Sequence, residues 1–225
     1  EHCTSLAALV AATDADLGIA HDGDADRMRA VDETGTFLAG DVLLAILGRA
    51  AASEGERVAV PVDTSLAVEE HLAAAGIETV RTKVGDVYVA DAASEPGVTF
   101  GGEPSGAWIW PAETLCPDGP LAACKLAALT AQRPLGERAA AVERYPIRRT
   151  AIDVEDREAT MRTVRERATA YEEVSTLDGV RIEFDDGWAL VRASGTEPVV
   201  RVTAEARDPD GLDAVFEEAR ALVPV

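Results

Sequence analysis

The chain has 225 residues, of which 41 are acidic and 21 basic, so its formal net charge is −20. This charge repels nucleic-acid backbones and anionic membranes, and we expect neither as a partner. No apolar run reaches the roughly 18 residues that a membrane-spanning helix needs. The acidic composition, with Lys83 and Lys125 as its two lysines, favours a salt-adapted cytoplasmic protein.

Residues 1–37 predict a small α/β segment. It contains an apolar helical pattern, a short strand at 16–20 and a second strand that ends in a turn at 33–35. One helix and two strands make a poor independent core. Since the sequence also opens without an initiator Met, we expect these residues to be the end of a domain whose front lies outside the sequence.

Helical and strand patterns alternate from residue 38 to 148. Helices are predicted at 41–52, 65–76, 86–94 and 119–131, and strands at 57–62, at 77–82 and on both sides of a glycine-rich loop within 97–110. Alternation of this kind is typical of a parallel or mixed sheet covered by helices. We therefore expect a complete α/β domain with a mixed sheet.

Residues 149–225 predict a smaller α+β domain. Helices are expected at 159–170 and 208–223, a hairpin at 179–194 and a further strand at 199–206. The predicted fold class is thus α/β, made of a partial mixed α/β domain, a complete α/β domain and a small C-terminal α+β domain.

Three aspartates, Asp22, Asp24 and Asp26, alternate within five residues after the first predicted strand. Their mutual repulsion favours a bound cation, and carboxylate oxygens suit Mg²⁺ or Ca²⁺. A solvated acidic turn is an equally simple interpretation. A calcium EF-hand is disfavoured because Arg27 occupies the position that requires glycine and because the flanks are strands. An aspartyl phosphatase built on Asp22 stays open, and Arg27 favours a metal and a cation that face a phosphate together.

Two further segments carry polar groups beside glycine. The segment "GGEPSG" places Glu103 and Ser105 between glycines, so that they could hold the hydroxyls of a sugar. The segment "TKVGD" retains Lys83 in a chain that otherwise uses arginine, and an ammonium can exchange a proton where a guanidinium cannot. An ordinary structural loop is the simpler interpretation of "GGEPSG" taken alone.

The segment "RASGTEP" follows the predicted hairpin. Arg192, Ser194, Gly195 and Thr196 could present a guanidinium, hydroxyls and backbone N–H groups to a phosphate. A plain glycine turn between two strands is the alternative.

These four motifs, in this order, resemble those of the α-D-phosphohexomutase family, which comprises phosphoglucomutases, phosphomannomutases and phosphoglucosamine mutases. "DGDADR" resembles the metal loop, "TKVGD" and "GGEPSG" the sugar-binding segments, and "RASGTEP" the phosphate loop. The resemblance implies that residues 1–37 are the end of domain II, 38–148 domain III and 149–225 domain IV of that family.

The resemblance implies an isomerase that moves phosphate between C1 and C6 of a hexose through an enzyme phosphoserine and a bisphosphate intermediate. Asp22, Asp24 and Asp26 would bind Mg²⁺, Arg27 would contact the reacting phosphate and Lys83 would act as general acid or base. The sugar hydroxyls would be held by Glu103 and Ser105. The other phosphate would be held by Arg192, Ser194, Gly195 and Thr196.

Two departures from the family pattern matter. The family's nucleophile motif, of the type T-A-S-H-N-P, does not occur in these 225 residues. The chain alone is therefore expected to be inactive, and a non-catalytic sugar-phosphate-binding module is the alternative. Ala107 stands where many members have histidine in "GGEPSG-H", which bears on substrate preference. We expect an enzyme of the phosphomannomutase or phosphoglucomutase type, with phosphoglucosamine mutase as the alternative. The motifs do not identify the hexose phosphate, and none bears on the oligomeric state.

Overall fold

A computed structural model describes residues 3–224 of the chain. They fall into two compact units, one up to Glu143 and the other from Arg144 onward. Both combine helices and strands, which confirms the predicted fold class. The division into three segments at 37 and 148 stays a prediction. No helix within the described range is long and apolar enough to cross a membrane.

The first unit opens with a helix packed on a two-stranded hairpin. The elements are α1 (Thr4–Ala11), β1 (Leu17–His21) and β2 (Met28–Asp32). The strands pair antiparallel, with His21 opposite Met28. A side chain at Gly18 would lie 2.7 Å from Val10, so glycine allows α1 to pack directly on β1. The loop that carries the three aspartates connects the two strands.

A four-stranded mixed sheet forms the rest of the first unit. Its strands lie in the order β4-β3-β5-β6, and only β6 is antiparallel to its neighbour. The elements are α2 (Gly40–Ala51), β3 (Arg57–Pro61), α3 (Leu66–Ala73), β4 (Glu78–Thr82), α4 (Asp86–Ala93), β5 (Val98–Gly102), β6 (Trp108–Ile109), α5 (Gly119–Thr130) and α6 (Leu135–Ala140). Val58, Ala59 and Val60 are fully buried in the central strand β3, because helices cover both faces of this sheet.

The second unit is an antiparallel sheet with two helices. The strands lie in the order β7-β11-β10-β9-β8. The elements are β7 (Ile147–Asp153), α7 (Arg157–Ala168), β8 (Val174–Ser175), β9 (Val180–Phe184), β10 (Gly187–Ala193), β11 (Val199–Ala206) and α8 (Pro209–Leu222). Apolar side chains of α7 and α8, among them Val164 and Phe216, form one core with the inner face of the sheet.

Three short or polar elements were not predicted from the sequence. Strand β7 carries two exposed arginines and lies at an edge of its sheet, so its hydrophobic signal is weak. Strand β8 and helix α6 have only two and six residues. The predicted helices and strands of both units are otherwise present.

Candidate functional site

The three aspartates converge at the tip of the β1–β2 hairpin. One carboxylate oxygen from each of Asp22, Asp24 and Asp26 lies within 4.8 Å of the others. Ala25 between them has φ of 61°, a left-handed conformation that non-glycine residues seldom adopt. The reversal at Ala25 turns the flanking aspartates toward a common point, so the structure brings the predicted metal residues together.

Arg27 provides the positive charge nearest to this cluster. Its Nε lies 2.5 Å from Asp22 Oδ2 and 3.5 Å from Asp26 Oδ1. Burial alone would raise the pKa of Asp22, but the backbone N–H and the guanidinium of Arg27 outweigh it and hold that pKa below its usual range. Asp22 is therefore ionised at neutral pH.

The donor set fits a hard divalent cation. Asp22 Oδ2 and Asp26 Oδ1 are shielded from solvent, and among the described residues the cation in contact with them is the Arg27 guanidinium. Carboxylate oxygens in this arrangement suit Mg²⁺, which prefers oxygen ligands. The guanidinium of Arg27 balances only part of the charge of three carboxylates.

A histidine and the start of helix α5 support the backbone of the aspartate loop. The His21 ring donates a hydrogen bond from Nδ1 to the Arg27 carbonyl at 2.9 Å. A side chain at Gly119, at the start of α5, would lie 2.5 Å from the Ala25 carbonyl oxygen. Glycine at this position allows α5 to pack against the loop backbone, which explains why the loop can keep its strained turn.

The "GGEPSG" loop pairs with the strand that follows the aspartates. Arg27 and Ala107 form an antiparallel bridge, and the Met28 N–H donates to the Gly106 carbonyl at 3.0 Å. Arg29 Nη1 donates to the Pro104 carbonyl at 2.7 Å. The aspartate loop and the predicted sugar loop are therefore one hydrogen-bonded unit. Ala107, the position that departs from the family pattern, is buried in this contact.

Glu103 connects "GGEPSG" to "TKVGD". Its Oε1 accepts the backbone N–H of Gly85 at 2.7 Å, and its Oε2 accepts the hydroxyl of Ser105 at 3.1 Å. Burial raises the pKa of Glu103, although both hydrogen bonds act in the opposite direction. Each carboxylate oxygen keeps a lone pair for a further donor, such as a sugar hydroxyl.

Lys83 lies in the loop that follows β4. It is exposed, and its Nζ lies 5.4 Å from the centre of the Tyr88 ring. The other lysine, Lys125, pairs with Glu113 at 2.6 Å beside Trp110 and serves a structural role. A proton-transfer role for Lys83 stays a prediction.

The turn after β3 was missed by the sequence analysis. Thr64 is fully buried, and its hydroxyl has no hydrogen-bond partner among the described residues. The Ser65 N–H donates to Asp41 Oδ1 at 3.1 Å. This turn lies at the carboxyl end of a parallel strand. Because α/β sheets bind ligands at that edge, the position of the turn after a predicted strand could have identified it as a candidate site.

The "RASGTEP" loop connects β10 to β11 in the second unit. The Ser194 N–H donates to the Val199 carbonyl at 2.9 Å, and the Ser194 hydroxyl accepts the Glu197 N–H at 3.3 Å. Gly195 and Thr196 are exposed at the tip. Arg192 Nη1 lies 3.2 Å from Asp178 Oδ2, so this guanidinium is already paired with a carboxylate.

Helix α7 contributes arginines that were not predicted. Arg157 Nη1 donates to the Ser194 carbonyl and, at 3.1 Å, to the Glu197 carbonyl, which fixes both ends of the loop tip. Arg162 and Arg165 line a cavity of about 560 Å³ together with Gly195. The loop thus faces a basic helix, which suits an anionic ligand. The signal in the sequence is the set of arginines within residues 157–167.

Comparison with known proteins identifies both units. Residues 39–145 match the model of the phosphoglucomutase/phosphomannomutase alpha/beta/alpha domain III. Residues 150–222 match the model of the phosphoglucomutase/phosphomannomutase C-terminal domain.

Full-length relatives and a solved structure agree with these models. The chain is 46% identical over 226 residues to a protein of Methanosarcina acetivorans named "Probable phosphoglucosamine mutase", covering 99% of this chain and 51% of that protein. It is 48% identical to the protein of the same name from Methanopyrus kandleri, covering 97% and 50%. A phosphoglucomutase/phosphomannomutase family protein of Burkholderia thailandensis superposes with a TM-score of 0.86 at 25% identity, over 98% of this chain and 49% of that one. The chain spans about half the length of the curated relatives that it matches.

Proposed function

The chain belongs to the phosphoglucomutase/phosphomannomutase family, as its four motifs predicted, and from this premise we propose that it provides the metal, sugar and phosphate loops of a phosphohexomutase. Such an enzyme interconverts a hexose 1-phosphate and a hexose 6-phosphate. The proposed metal is Mg²⁺ and the proposed ligand is a hexose phosphate.

One observation carries the proposal. The backbone of Arg27 pairs with that of Ala107, which joins the carboxylate cluster to the loop of Glu103 and Ser105. Phosphoryl transfer to a sugar needs a cation and a guanidinium for the phosphate beside acceptors for the sugar hydroxyls. These groups come from distant parts of the sequence, and the backbone bridge between Arg27 and Ala107 joins the two loops that carry them.

Asp22, Asp24 and Asp26 would hold Mg²⁺, which supplies charge neutralisation for the transferring phosphoryl group. Arg27 would place its guanidinium against the same phosphate, where it would replace its present contact with Asp22 by a charge-assisted hydrogen bond to a phosphate oxygen. The ionised state of Asp22 at neutral pH supports both roles.

Glu103 and Ser105 would orient the sugar, and Lys83 would move a proton to or from the reacting hydroxyl. Lys83 is exposed and can reach a ligand without breaking an ion pair to a carboxylate of the described residues. The hydrogen bond from Gly85 to Glu103 fixes the spacing between the loop of Lys83 and the sugar loop. A sugar bound to Glu103 would therefore meet the lysine loop directly.

In the second unit, Arg192, Ser194, Gly195 and Thr196 would hold the phosphate that is not transferred. Exposed N–H groups at the loop tip and the cavity beside α7 support this role. Arg157 is proposed as a positioning residue, because it binds backbone carbonyls of the loop.

The names of the relatives in Methanosarcina acetivorans and Methanopyrus kandleri favour glucosamine phosphate as the first sugar to test. Glucose and mannose phosphates, the substrates of the phosphoglucomutase or phosphomannomutase type that the motifs predict, form the second set to test. A non-catalytic sugar-phosphate-binding module is supported by one fact, the absence of a Ser-His-Asn triplet in the 225 residues.

A chimaera tests the proposal. The 225 residues would replace the matching segment of the Methanosarcina acetivorans relative, and the product would be assayed with Mg²⁺ and the 1- and 6-phosphates of glucosamine, glucose and mannose. Interconversion that is lost in an Arg27→Gln chimaera supports the mutase, and the preferred sugar identifies the substrate. A chimaera with a native circular dichroism spectrum that binds the sugar phosphates without converting them supports the binding module. Release of free phosphate in its place supports a phosphatase.

A further inference from the structure

A second basic cavity lies in the first unit, beside the C-terminal end of helix α2. Its volume is about 370 Å³, and it is lined by Arg49, Arg133, Arg138 and His71 on an otherwise aliphatic wall. Neither the motifs nor the proposed function involves these residues. Volumes near 300 Å³ and above are typical of pockets for small molecules.

The concentration of positive charge is unusual for this chain. Acidic residues outnumber basic ones by 41 to 21, yet no carboxylate is among the residues that line this cavity. The three arginines come from α2, from the segment after α5 and from α6, so their proximity is produced by packing. Burial and the nearby charge of Arg49 lower the pKa of His71, while a hydrogen bond with the backbone of Ala141 acts against this shift. The side chains that line the cavity therefore carry a net positive charge.

The guanidiniums differ in how far they are already engaged. Arg138 donates to the Leu129 carbonyl at 2.9 Å and the Arg133 carbonyl at 3.3 Å, and Arg133 pairs with Glu137 at 3.1 Å. The two backbone contacts hold the Arg138 side chain in place, whereas the pair between Arg133 and Glu137 is exposed to solvent. Arg49 is exposed, and within residues 3–224 it has neither a hydrogen bond nor an ion pair to a carboxylate. All five of its N–H donors are available to a ligand.

A favourable interaction with the helix dipole does not account for the cluster. Arg49 lies in the last turn of α2, where a cation is stabilised by a few tenths of a kcal/mol up to about 1 kcal/mol. Arg220 occupies the same place in α8 and pairs with Glu217. The dipole explains one arginine at each helix end, and it does not explain the convergence of three arginines on one concave surface where a carboxylate, that of Glu137, pairs with one of them.

We propose that this cavity binds a phosphate-bearing small molecule at a site separate from the metal and sugar loops. A planar guanidinium can donate two hydrogen bonds to two oxygens of one phosphate. Three guanidiniums therefore suit a ligand that carries two or more negative charges better than they suit a ligand with a single carboxylate. Helix α2 begins at Gly40, against the Pro104 carbonyl of the sugar loop, and reaches Arg49 nine residues later. At 1.5 Å per residue the two ends are about 14 Å apart. One phosphate group cannot occupy both sites.

Histidine NMR on the 225-residue chain tests the proposal, because the sequence has only three histidines. The ring signals would be assigned with His71→Gln and followed at pH 7 and constant ionic strength. Inorganic phosphate, pyrophosphate, glucose 6-phosphate and ATP would be titrated in turn, with sodium chloride as the ionic control. We expect a saturable shift of the His71 signal. The ligand that binds most tightly among the four indicates which class of phosphate compound the cavity binds.

Matched variants separate site binding from general ionic effects. Arg49→Gln removes the unpaired guanidinium and is expected to weaken binding about tenfold, as the loss of one charge-assisted contact does. Arg220→Gln removes an arginine from the same position of α8 and should leave the affinity unchanged. The proposal is overturned if the His71 signal does not respond to any of the four ligands at 20 mM, or if both variants bind as the unaltered chain does. The His21 signal, beside the aspartate loop, reports separately on ligand at the proposed active site.

Discussion

One carboxylate oxygen of Glu103 accepts the Gly85 N–H, and the other accepts the hydroxyl of Ser105. The side chain thus connects the lysine loop after β4 to the glycine-rich loop after β5. It is almost fully buried, so these hydrogen bonds are made in a medium that strengthens them. The relationship between Glu103 and Gly85 sets how far apart the two proposed sugar-binding loops can be.

Replacing Glu103 by glutamine should change how stability depends on pH. Burial raises the pKa of Glu103 in the folded state, so its protonated form is favoured there. The protonated Glu103 side chain therefore adds to the free energy of unfolding. This contribution is complete below the unfolded-state pKa near 4.5 and is lost as the pH rises through the raised folded-state pKa. Glutamine does not titrate. The free energy of unfolding of Glu103→Gln should therefore rise relative to the unaltered chain between pH 4 and pH 8, by about 1.4 kcal/mol per unit of pKa shift.

Urea unfolding at several pH values measures this difference. A difference for Glu103→Gln that stays constant from pH 4 to pH 8 would contradict the role of burial. Glu103→Ala leaves the half-buried Gly85 N–H without its acceptor, and we expect it to be less stable by about 2 kcal/mol.

Gly40 should not tolerate alanine. A β-carbon there would lie 1.9 Å from the Pro104 carbonyl oxygen, which is backbone and cannot rotate away. Gly40→Ala should reduce the free energy of unfolding by about 3 kcal/mol, toward the upper end for overpacking, and displace the sugar loop. Gly23→Ala is the control, because its β-carbon has no atom within 4 Å. Thermal unfolding of the two variants measures the effect, and equal melting temperatures would show that α2 does not touch the sugar loop.

Mg²⁺ binding by the 225-residue chain should be weak. The three carboxylates form a cluster, but a phosphate oxygen would be needed to complete the coordination in the proposed enzyme, and Arg27 competes for Asp22. Isothermal titration calorimetry is expected to give a dissociation constant on the order of 1 mM, as for exposed carboxylate sites with few ligands. Asp24→Asn should abolish the signal, and Asp14→Asn, outside the cluster, should not change it. Micromolar affinity would show that the chain alone completes the site.

Arg157 should be needed to order the phosphate loop. It donates to two carbonyls of that loop, and Arg167 in the same helix donates to the carbonyls of Ala221 and Leu222. Arg157→Gln and Arg167→Gln should therefore each cost about 1 kcal/mol of stability. Only Arg157→Gln should speed amide hydrogen exchange at residues 194–197. Faster exchange at 194–197 in both variants would assign Arg157 a general structural role.

The sequence alone identified the segments to which the proposed chemistry is assigned. The aspartate triplet, Glu103 between glycines and the "RASGTEP" loop are local patterns, since their chemistry depends on residues within a few positions of one another. The alternation of apolar patterns likewise identified the α/β class, because a buried strand or helix face requires apolar residues at regular spacing within a short segment.

Only the tertiary structure decided which of these segments meet. The bridge from Arg27 to Ala107 and the hydrogen bond from Gly85 to Glu103 join parts of the chain that no local pattern connects. The edge strand β7 was missed because its exposed arginines conceal its pairing with β11. The basic cavity likewise depends on tertiary packing, since Arg49 and Arg138 both line it and are 89 positions apart in the sequence. Local propensity acts over one or two turns of chain, whereas the packing of helices on a sheet sets distances between residues from separate elements.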